Sequence, residues 1–174
     1  MSSITVEDAL KKFDKRFYNL GIKEQTAKAF FENLNGYINL TKKAIESNES
    51  EEHLKNMTNS FLKALYFSDK YDINTDKRID SVLRVNGKVQ AIIEAKKPSN
   101  KREMVSEKEI NVKALHEILF YYMSETRDVN GTKVKRIADV EIRRALITDT
   151  QKWVLIDANE IEKIVDGYLE NHFY

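Results

Sequence analysis

A pair of short strands joined by a tight turn is the feature that most constrains how this chain can fold. Between Lys77 and Pro98, apolar and polar residues alternate on both sides of Asn86-Gly87. A period of two is typical of strands, and Asn-Gly is a strong signal for a hairpin turn. Pro98 has no backbone N–H to donate to a sheet, so it ends the second strand. We therefore expect a sheet built around this hairpin.

The length of the turn determines which side chains share a face of the hairpin. A two-residue loop would place Asp80 and Glu94 on opposite faces, because a shift of one residue exchanges the faces. A three-residue loop over residues 85–87 ends in a left-handed glycine and a β-bulge. It places Asp80, Glu94 and Lys96 together on a polar face, and the apolar residues of both strands on a buried one. The hydrophobic pattern therefore predicts the three-residue loop.

Two carboxylates and a lysine on adjacent strands fit metal-assisted cleavage of a phosphodiester. Carboxylate oxygens bind Mg²⁺, which keeps several of its waters. The metal lowers the pKa of a bound water and stabilises charge on the phosphate, and a nearby ammonium stabilises the transition state or orients the nucleophile. We predict Asp80, Glu94 and Lys96 as catalytic residues. Asp80 and Glu94 are the predicted ligands of Mg²⁺, for which Mn²⁺ can substitute.

The same residues resemble the PD-(D/E)xK nuclease motif, which has an acid at the start of one strand and Glu-x-Lys on the next. Here these are Asp80 and Glu94-Ala95-Lys96, with Ile79 where many such nucleases have proline. IIEAKKP, NVKALHEILFYYMSE and ALITDTQKWVLIDA are similar to the nuclease domain of type I restriction subunits and of fused type IIG restriction–modification enzymes. The resemblance covers residues 71–157.

The resemblance implies a fold and an activity. The fold is α/β (α+β), with a restriction-endonuclease-like core, a mixed central sheet flanked by helices, and a preceding N-terminal helical region. We expect residues 1–70 to form that region, packed on a nuclease core of residues 71–174, as one compact piece of a longer enzyme. The activity is Mg²⁺-dependent hydrolysis of DNA, as in type II (IIG-like) or type I site-specific deoxyribonucleases of restriction–modification systems.

Accessory residues are also implied. In the resembled family a Gln-x-x-x-Tyr pattern often lies near the active site, on the helix after Glu-x-Lys. This sequence has Glu117 and Tyr121 at that spacing, and His116 is an equally near candidate. Glu52 is a further candidate, although acids in a first turn more often complement the helix dipole. Contacts to DNA phosphates are expected from the basic residues that follow the second strand: Lys97, Lys101 and Arg102.

The composition limits which partners and which cellular compartment we expect for this protein. The net charge is +1, so attraction to DNA comes from local patches or from another polypeptide. The chain has no cysteine, which excludes a disulfide scaffold and fits a reducing cytoplasm. No apolar run is long enough to span a membrane. We expect a cytoplasmic protein that acts on double-stranded DNA, with methyltransferase and target-recognition domains or subunits outside this chain and a second copy for double-strand cleavage.

Periodicity and capping signals predict the other elements. The predicted helices run from Thr5 to Leu20, Lys23 to Ser47, Ser50 to Leu65, Ser106 to Glu125, and from Asn159 onward. The predicted strands are Tyr71 to Thr75, Arg144 to Thr148 and Trp153 to Asp157, and the last two are expected to pair as a second hairpin. Lys133, Lys135 and Arg136 form a small basic patch.

Two other functions are compatible with the sequence. A catalytically silent module could use the nuclease fold to dock DNA or a partner domain. A helical protein-interaction module would instead carry its function in residues 1–70. The complete set of Asp80, Glu94 and Lys96 favours the enzyme, since a silent copy would be free to lose it.

Overall fold

The computed structural model describes residues 24–65, 71–76, 79–127 and 140–173. The predicted helix from Thr5 to Leu20 and the basic patch at residues 133–136 lie outside these ranges. The described elements are α1 (Glu24–Glu46), α2 (Glu51–Leu65), β1 (Tyr71–Asp76), β2 (Ile79–Val85), β3 (Lys88–Ala95), α3 (Lys113–Thr126), β4 (Val140–Thr148), β5 (Trp153–Asp157) and α4 (Ala158–Phe173).

The five strands form one sheet in the order β1-β2-β3-β4-β5. β3 and β4 are parallel, and every other neighbouring pair is antiparallel. Parallel neighbours need a long crossover, which an α-helix usually supplies, and α3 lies in the connection between β3 and β4. The prediction of a mixed α+β sheet is therefore confirmed, as are the two predicted hairpins.

Helices cover both faces of the sheet. On one face, Val82 and Ile92 are fully buried in a core that includes Ile118 of α3 and Ile161 of α4. On the other face, Ile93 packs in a smaller core with side chains of α2 and β1. The prediction that the hairpin buries only one face is wrong, because helices lie against both. The supposed polar face carries the larger core, and the apolar Val82 and Ile92 among its charged residues were the sign of it.

The turn of the hairpin is also shorter than predicted. Val85 pairs with Lys88, so the loop has two residues, Asn86 with φ 52° and Gly87 with φ 80°. Positive φ at both positions is the geometry of a type I′ turn, whose twist matches that of the flanking strands. The predicted three-residue loop is therefore wrong.

A β-bulge beyond the turn restores the shared face of the two acids that the longer loop was expected to give, although that loop would have placed Asp80 opposite Ile92. Arg84 pairs with Val89, but Leu83 pairs with Ala91, which leaves one extra residue, Gln90, in β3. The register continues to Ser81 opposite Ile93, and one step further Asp80 faces Glu94. Because cross-strand partners share a face of the sheet, the bulge brings the two acids together.

Two helix starts test the capping predictions. α2 begins as predicted, with the backbone N–H of His53 donating to Oγ of Ser50 at 3.1 Å. The helix predicted from Ser106 begins only at Lys113. The N–H of Glu109 does donate to Oγ of Ser106 at 3.1 Å, but this bond closes an isolated turn. The capping signal therefore marked a local turn that the helix does not continue.

α1 packs through only part of the face that its apolar periodicity predicts. That face comprises Phe30, Leu34, Tyr37, Ile38 and Ile45, but Phe30 and Ile38 are 40% and 39% exposed. Its buried residues include Tyr37, whose ring stacks on Phe61 of α2 with centroids 4.5 Å apart and meets Trp153 edge-on at 6.0 Å. α1 therefore packs on α2 through aromatic contacts.

Candidate functional site

The candidate site lies at the carboxyl end of β3, between the helices that cover the two faces of the sheet. Glu94 and Lys96 are 2% and 3% exposed there. Lys96 follows the last residue of β3, yet its backbone N–H still donates to the carbonyl of Thr148 at 2.8 Å. This bond to the end of β4 fixes the lysine beside the parallel pair of strands.

Two helices bring further carboxylates to Lys96. Its Nζ lies 2.6 Å from Oε2 of Glu117 on α3 and 3.9 Å from Oε1 of Glu51 on α2. It also contacts Oε1 of Glu94 at very short range. The Glu117 contact is a close ion pair. One ammonium thus connects β3 to the helices on both faces.

Asp80 completes the acid pair from β2. Its Oδ2 accepts a hydrogen bond from the backbone N–H of Ala95 at 3.0 Å, which fixes the carboxylate beside Glu94. Its Oδ1 lies 3.6 Å from Nζ of Lys55 on α2. The predicted trio of Asp80, Glu94 and Lys96 is therefore assembled in one place, but in a largely buried setting.

Burial dominates the protonation of Glu94. It raises the pKa of this carboxyl well above its usual range, and the negative charge of Asp80 raises it further, while Lys96 only partly offsets them. For Glu117, burial also raises the pKa, but hydrogen bonds with Lys96 and Glu94 outweigh it and leave the pKa lowered.

Lys96 keeps its positive charge in this setting. Burial lowers its pKa, but hydrogen bonds to Glu117 and Glu94 more than compensate, so the pKa is raised. A protonated ammonium here is the group that the sequence predicted beside the acid pair.

The carboxylate oxygens of this site partly match the ligands that a hard cation such as Mg²⁺ requires. Oε2 of Glu94 is buried and has no hydrogen-bond partner within the described part of the chain, and Asp80 adds a second carboxylate beside it. Among the described residues, no three or more aspartates, glutamates or histidines form a group that could hold a metal by themselves. Two carboxylates suffice for Mg²⁺, which keeps several waters when bound. Asp80 and Glu94 are therefore the residues that fit this ion.

The candidate accessory residues on α3 differ in what they contact. Tyr121 lies in the field of the site, because burial and then the charges of Glu94, Glu117 and Asp80 raise its pKa. His116 is exposed and its Nε2 lies 2.6 Å from Oδ1 of Asn111. Of the two neighbouring candidates on α3, the structure thus brings Glu117 to Lys96 and turns His116 toward Asn111.

The basic residues after β3 also differ from one another. Lys97 donates from its backbone N–H to Oε2 of Glu51 at 3.0 Å and from Nζ to the carbonyl of Asn48 at 3.1 Å. It therefore ties the end of β3 to the start of α2. Lys101 and Arg102 are exposed in the following turn.

Lys55 is a site residue that the sequence analysis missed. It is buried on α2 and forms ion pairs with Asp80 and with Glu52. Glu52, a predicted accessory residue, contacts this lysine. A signal was present, since Glu51, Glu52 and Lys55 have the i, i+3 and i, i+4 spacings that place side chains on one side of a helix.

These observations define a mixed α+β protein with a buried cluster of acids and lysines at the end of a central strand. The chain belongs to the family described as a domain of unknown function (DUF7149), which matches residues 7–173. No curated protein and no solved structure matches it. None of the described helices is long and apolar enough to cross a membrane.

Proposed function

We propose that this chain is a Mg²⁺-dependent DNA endonuclease domain of a restriction–modification enzyme, with a restriction-endonuclease-like core. The observation that carries the proposal is the pairing of half-buried Asp80 with buried Glu94 on adjacent strands, with the ammonium of Lys96 beside them. Buried carboxylates are unfavourable unless a proton or a cation neutralises them. A stable fold gains nothing from facing two acids here, whereas a cation site needs them.

Each residue of the trio has a role in the proposed reaction. Asp80 and Glu94 hold Mg²⁺ or Mn²⁺, which supplies an activated water and charge stabilisation for the phosphate. Lys96 keeps its proton, because its contacts with Glu117 and Glu94 raise its pKa. Its ammonium stabilises negative charge on the phosphate. Glu117 holds this ammonium in place from α3.

Partners follow from the charge of the chain. A net charge of +1 provides few contacts to phosphates, so Lys101 and Arg102 give weak binding without sequence preference. Sequence specificity comes from methyltransferase and target-recognition domains or subunits outside this chain. One site cuts one strand, so a double-strand break takes two copies or two turnovers. The compartment that we propose is the cytoplasm.

A catalytically silent docking module is the second candidate. One observation favours it: Lys96 already contacts both Glu94 and Glu117, so the charge of these acids is partly neutralised without a metal. A silent module would bind DNA or a partner domain and would leave Mg²⁺ without effect on Asp80 and Glu94.

A titration and a cleavage assay distinguish the two candidates. Mg²⁺ or Mn²⁺ is titrated into the chain and followed by NMR, and supercoiled plasmid is incubated with the chain and each metal. The proposed nuclease predicts shifts at residues 80 and 94–96 and nicking that EDTA stops. Glu160→Gln, an exposed change on α4, is the matched control for Glu94→Gln. Shifts confined to other acids, with no nicking, would reject the nuclease.

A further inference from the structure

Lys55 is a buried cation with one direct but mostly exposed partner, Glu52, and one longer contact, with Asp80. Its side chain is 10% exposed, and a buried ammonium is costly unless anions surround it. One partner, Glu52, lies mostly in solvent. The other is Asp80, whose Oδ1 lies 3.6 Å from Nζ of Lys55, beyond a good hydrogen-bond length.

Asp80 does not depend on Lys55 for its orientation. The backbone N–H of Ala95 donates to Oδ2 of Asp80 at 3.0 Å, and the pairing of β2 with β3 fixes this contact. An apolar residue at position 55 would therefore leave the carboxylate held from the strand. The ammonium of Lys55 faces the remaining oxygen, Oδ1, which is the oxygen of Asp80 that the backbone leaves open to a cation.

We infer that Lys55 is a second phosphate ligand of the site, whose ammonium binds a non-bridging oxygen of the DNA phosphodiester held at Asp80 and Glu94. The inference rests on the proposed function. Asp80 would hold the metal ion through the carboxylate that now pairs with Lys55, and the anionic phosphate would replace that partner. Lys55 on α2 and Lys96 after β3 then hold the phosphate from two different elements.

The test compares Lys55→Met with Lys63→Met, a change of an exposed lysine two turns along the same helix. The affinity of the full chain for a duplex oligonucleotide is measured by fluorescence anisotropy in Ca²⁺, over a series of salt concentrations. We expect Lys55→Met to weaken binding about tenfold and to reduce the slope of log affinity against log salt by about 0.9, the value for one phosphate contact. Lys63→Met should match the wild type, and Lys55→Arg should retain most of the affinity.

Mg²⁺ binding, measured by calorimetry on the same variants, separates the possible failures. Lys55→Met should bind Mg²⁺ as tightly as the wild type or more tightly, because it removes a positive charge beside the ion. Weaker Mg²⁺ binding would make Lys55 a positioning residue for Asp80 and overturn the inference. Unchanged DNA binding by Lys55→Met, with Mg²⁺ still perturbing Asp80 and Glu94, would overturn the inference alone.

Two further outcomes are decided in the same experiment. If Mg²⁺ leaves Asp80 and Glu94 of the wild type unperturbed, or if the wild type binds no DNA, the proposed function and the inference both fail. If Lys55→Met does not fold, as judged by its melting curve, Lys55→Gln takes its place, since its amide keeps a polar group beside Asp80 without the charge. The same tenfold loss and the same reduction in slope are then required.

Discussion

The ammonium of Lys96 lies between two carboxylates, one on its own strand and one on the helix that follows: Nζ contacts Oε1 of Glu94 and lies 2.6 Å from Oε2 of Glu117. This ion cluster links β3 to α3 and is also the candidate reactive centre. Because each member is buried or half-buried, removing one charge leaves the others poorly compensated. Substitutions here therefore need isosteric side chains, and each needs a folding control.

The first prediction concerns the catalytic trio. Asp80→Asn and Glu94→Gln should each abolish metal-dependent nicking, because each removes an anionic ligand. Lys96→Met should lower the rate by about 10²–10³-fold, as loss of one stabilising charge does, while Mg²⁺ binds as tightly as before or more tightly. The measurements are plasmid nicking and calorimetric titration. A Lys96→Met chain that has lost Mg²⁺ binding but still nicks would contradict these roles.

The second prediction concerns the pH dependence of stability. Burial and the charge of Asp80 raise the pKa of Glu94 in the folded chain. In the unfolded chain the pKa of a glutamate is about 4.3. At pH values between these two pKa values, the folded chain therefore holds a proton on Glu94 that the unfolded chain releases. Stability from this group is full below the unfolded pKa and declines as pH rises toward the folded pKa. Glu117 and Lys96 affect stability in other pH ranges, because the pKa of Glu117 is lowered and that of Lys96 is raised.

Denaturant melts of the metal-free chain from pH 5 to pH 8 measure this slope. Glu94→Gln carries no titrating group and should lose that part of the decline, while the exposed control Glu160→Gln should keep it. Identical pH profiles for Glu94→Gln and the wild type would show that Glu94 is ionised throughout.

Local rules predicted much of the sheet and the content of the site. Alternating residues and Asn86-Gly87 predicted β2 and β3, and the grouping of Asp80, Glu94 and Lys96 followed from hydrophobic alternation. The reason for the grouping was wrong, because alternation counts residues along a strand but does not reveal where a bulge adds one. Gln90 carries no such signal.

Tertiary packing accounts for what the sequence analysis missed. Whether Glu94 is exposed depends on α3 lying over that face of the sheet, which the strand pattern alone does not encode. Lys55 lies in the site because α2 covers the opposite face of the sheet. In the sequence, its spacing from Glu51 and Glu52 indicated only an ion pair along a helix. The contacts that join distant segments are therefore what sequence periodicity could not predict.

The third prediction tests the bulge. Deleting Gln90 should leave Leu83 opposite Ala91 and Asp80 opposite Glu94, because the extra residue is removed from the strand that contains it. We expect a change in unfolding free energy within the usual range for single changes, about 0.5–3 kcal/mol, and unchanged Mg²⁺ binding. An alanine inserted after Ala91 is the control: it exchanges the faces of Ile93 and Glu94 and should abolish both folding and Mg²⁺ binding. Equal behaviour of the two variants in melting and calorimetry would contradict this register.

The fourth prediction contrasts two adjacent residues on β3. Ile93 is 3% exposed and packs with Leu62 and Ile73 in an apolar cluster, whereas Glu94 points to the opposite face among charges. Ile93→Asp places an unpaired charge in that cluster and should destabilise the chain by about 3–5 kcal/mol, as other uncompensated buried charges do. Glu94→Gln keeps the shape of the side chain and is neutral without taking up a proton, so its melting temperature at neutral pH should equal or exceed that of the wild type.

Thermal melts of both variants and of the wild type, without metal, measure this contrast. Ile93→Ala is the matched control for lost packing, because it removes the apolar side chain without adding a charge and should cost about 2–5 kcal/mol. Ile93→Asp must therefore be at least as unstable as Ile93→Ala. If Ile93→Asp melts like the wild type while Glu94→Gln unfolds, then Glu94 faces the apolar cluster, and the site at Asp80, Glu94 and Lys96 cannot exist.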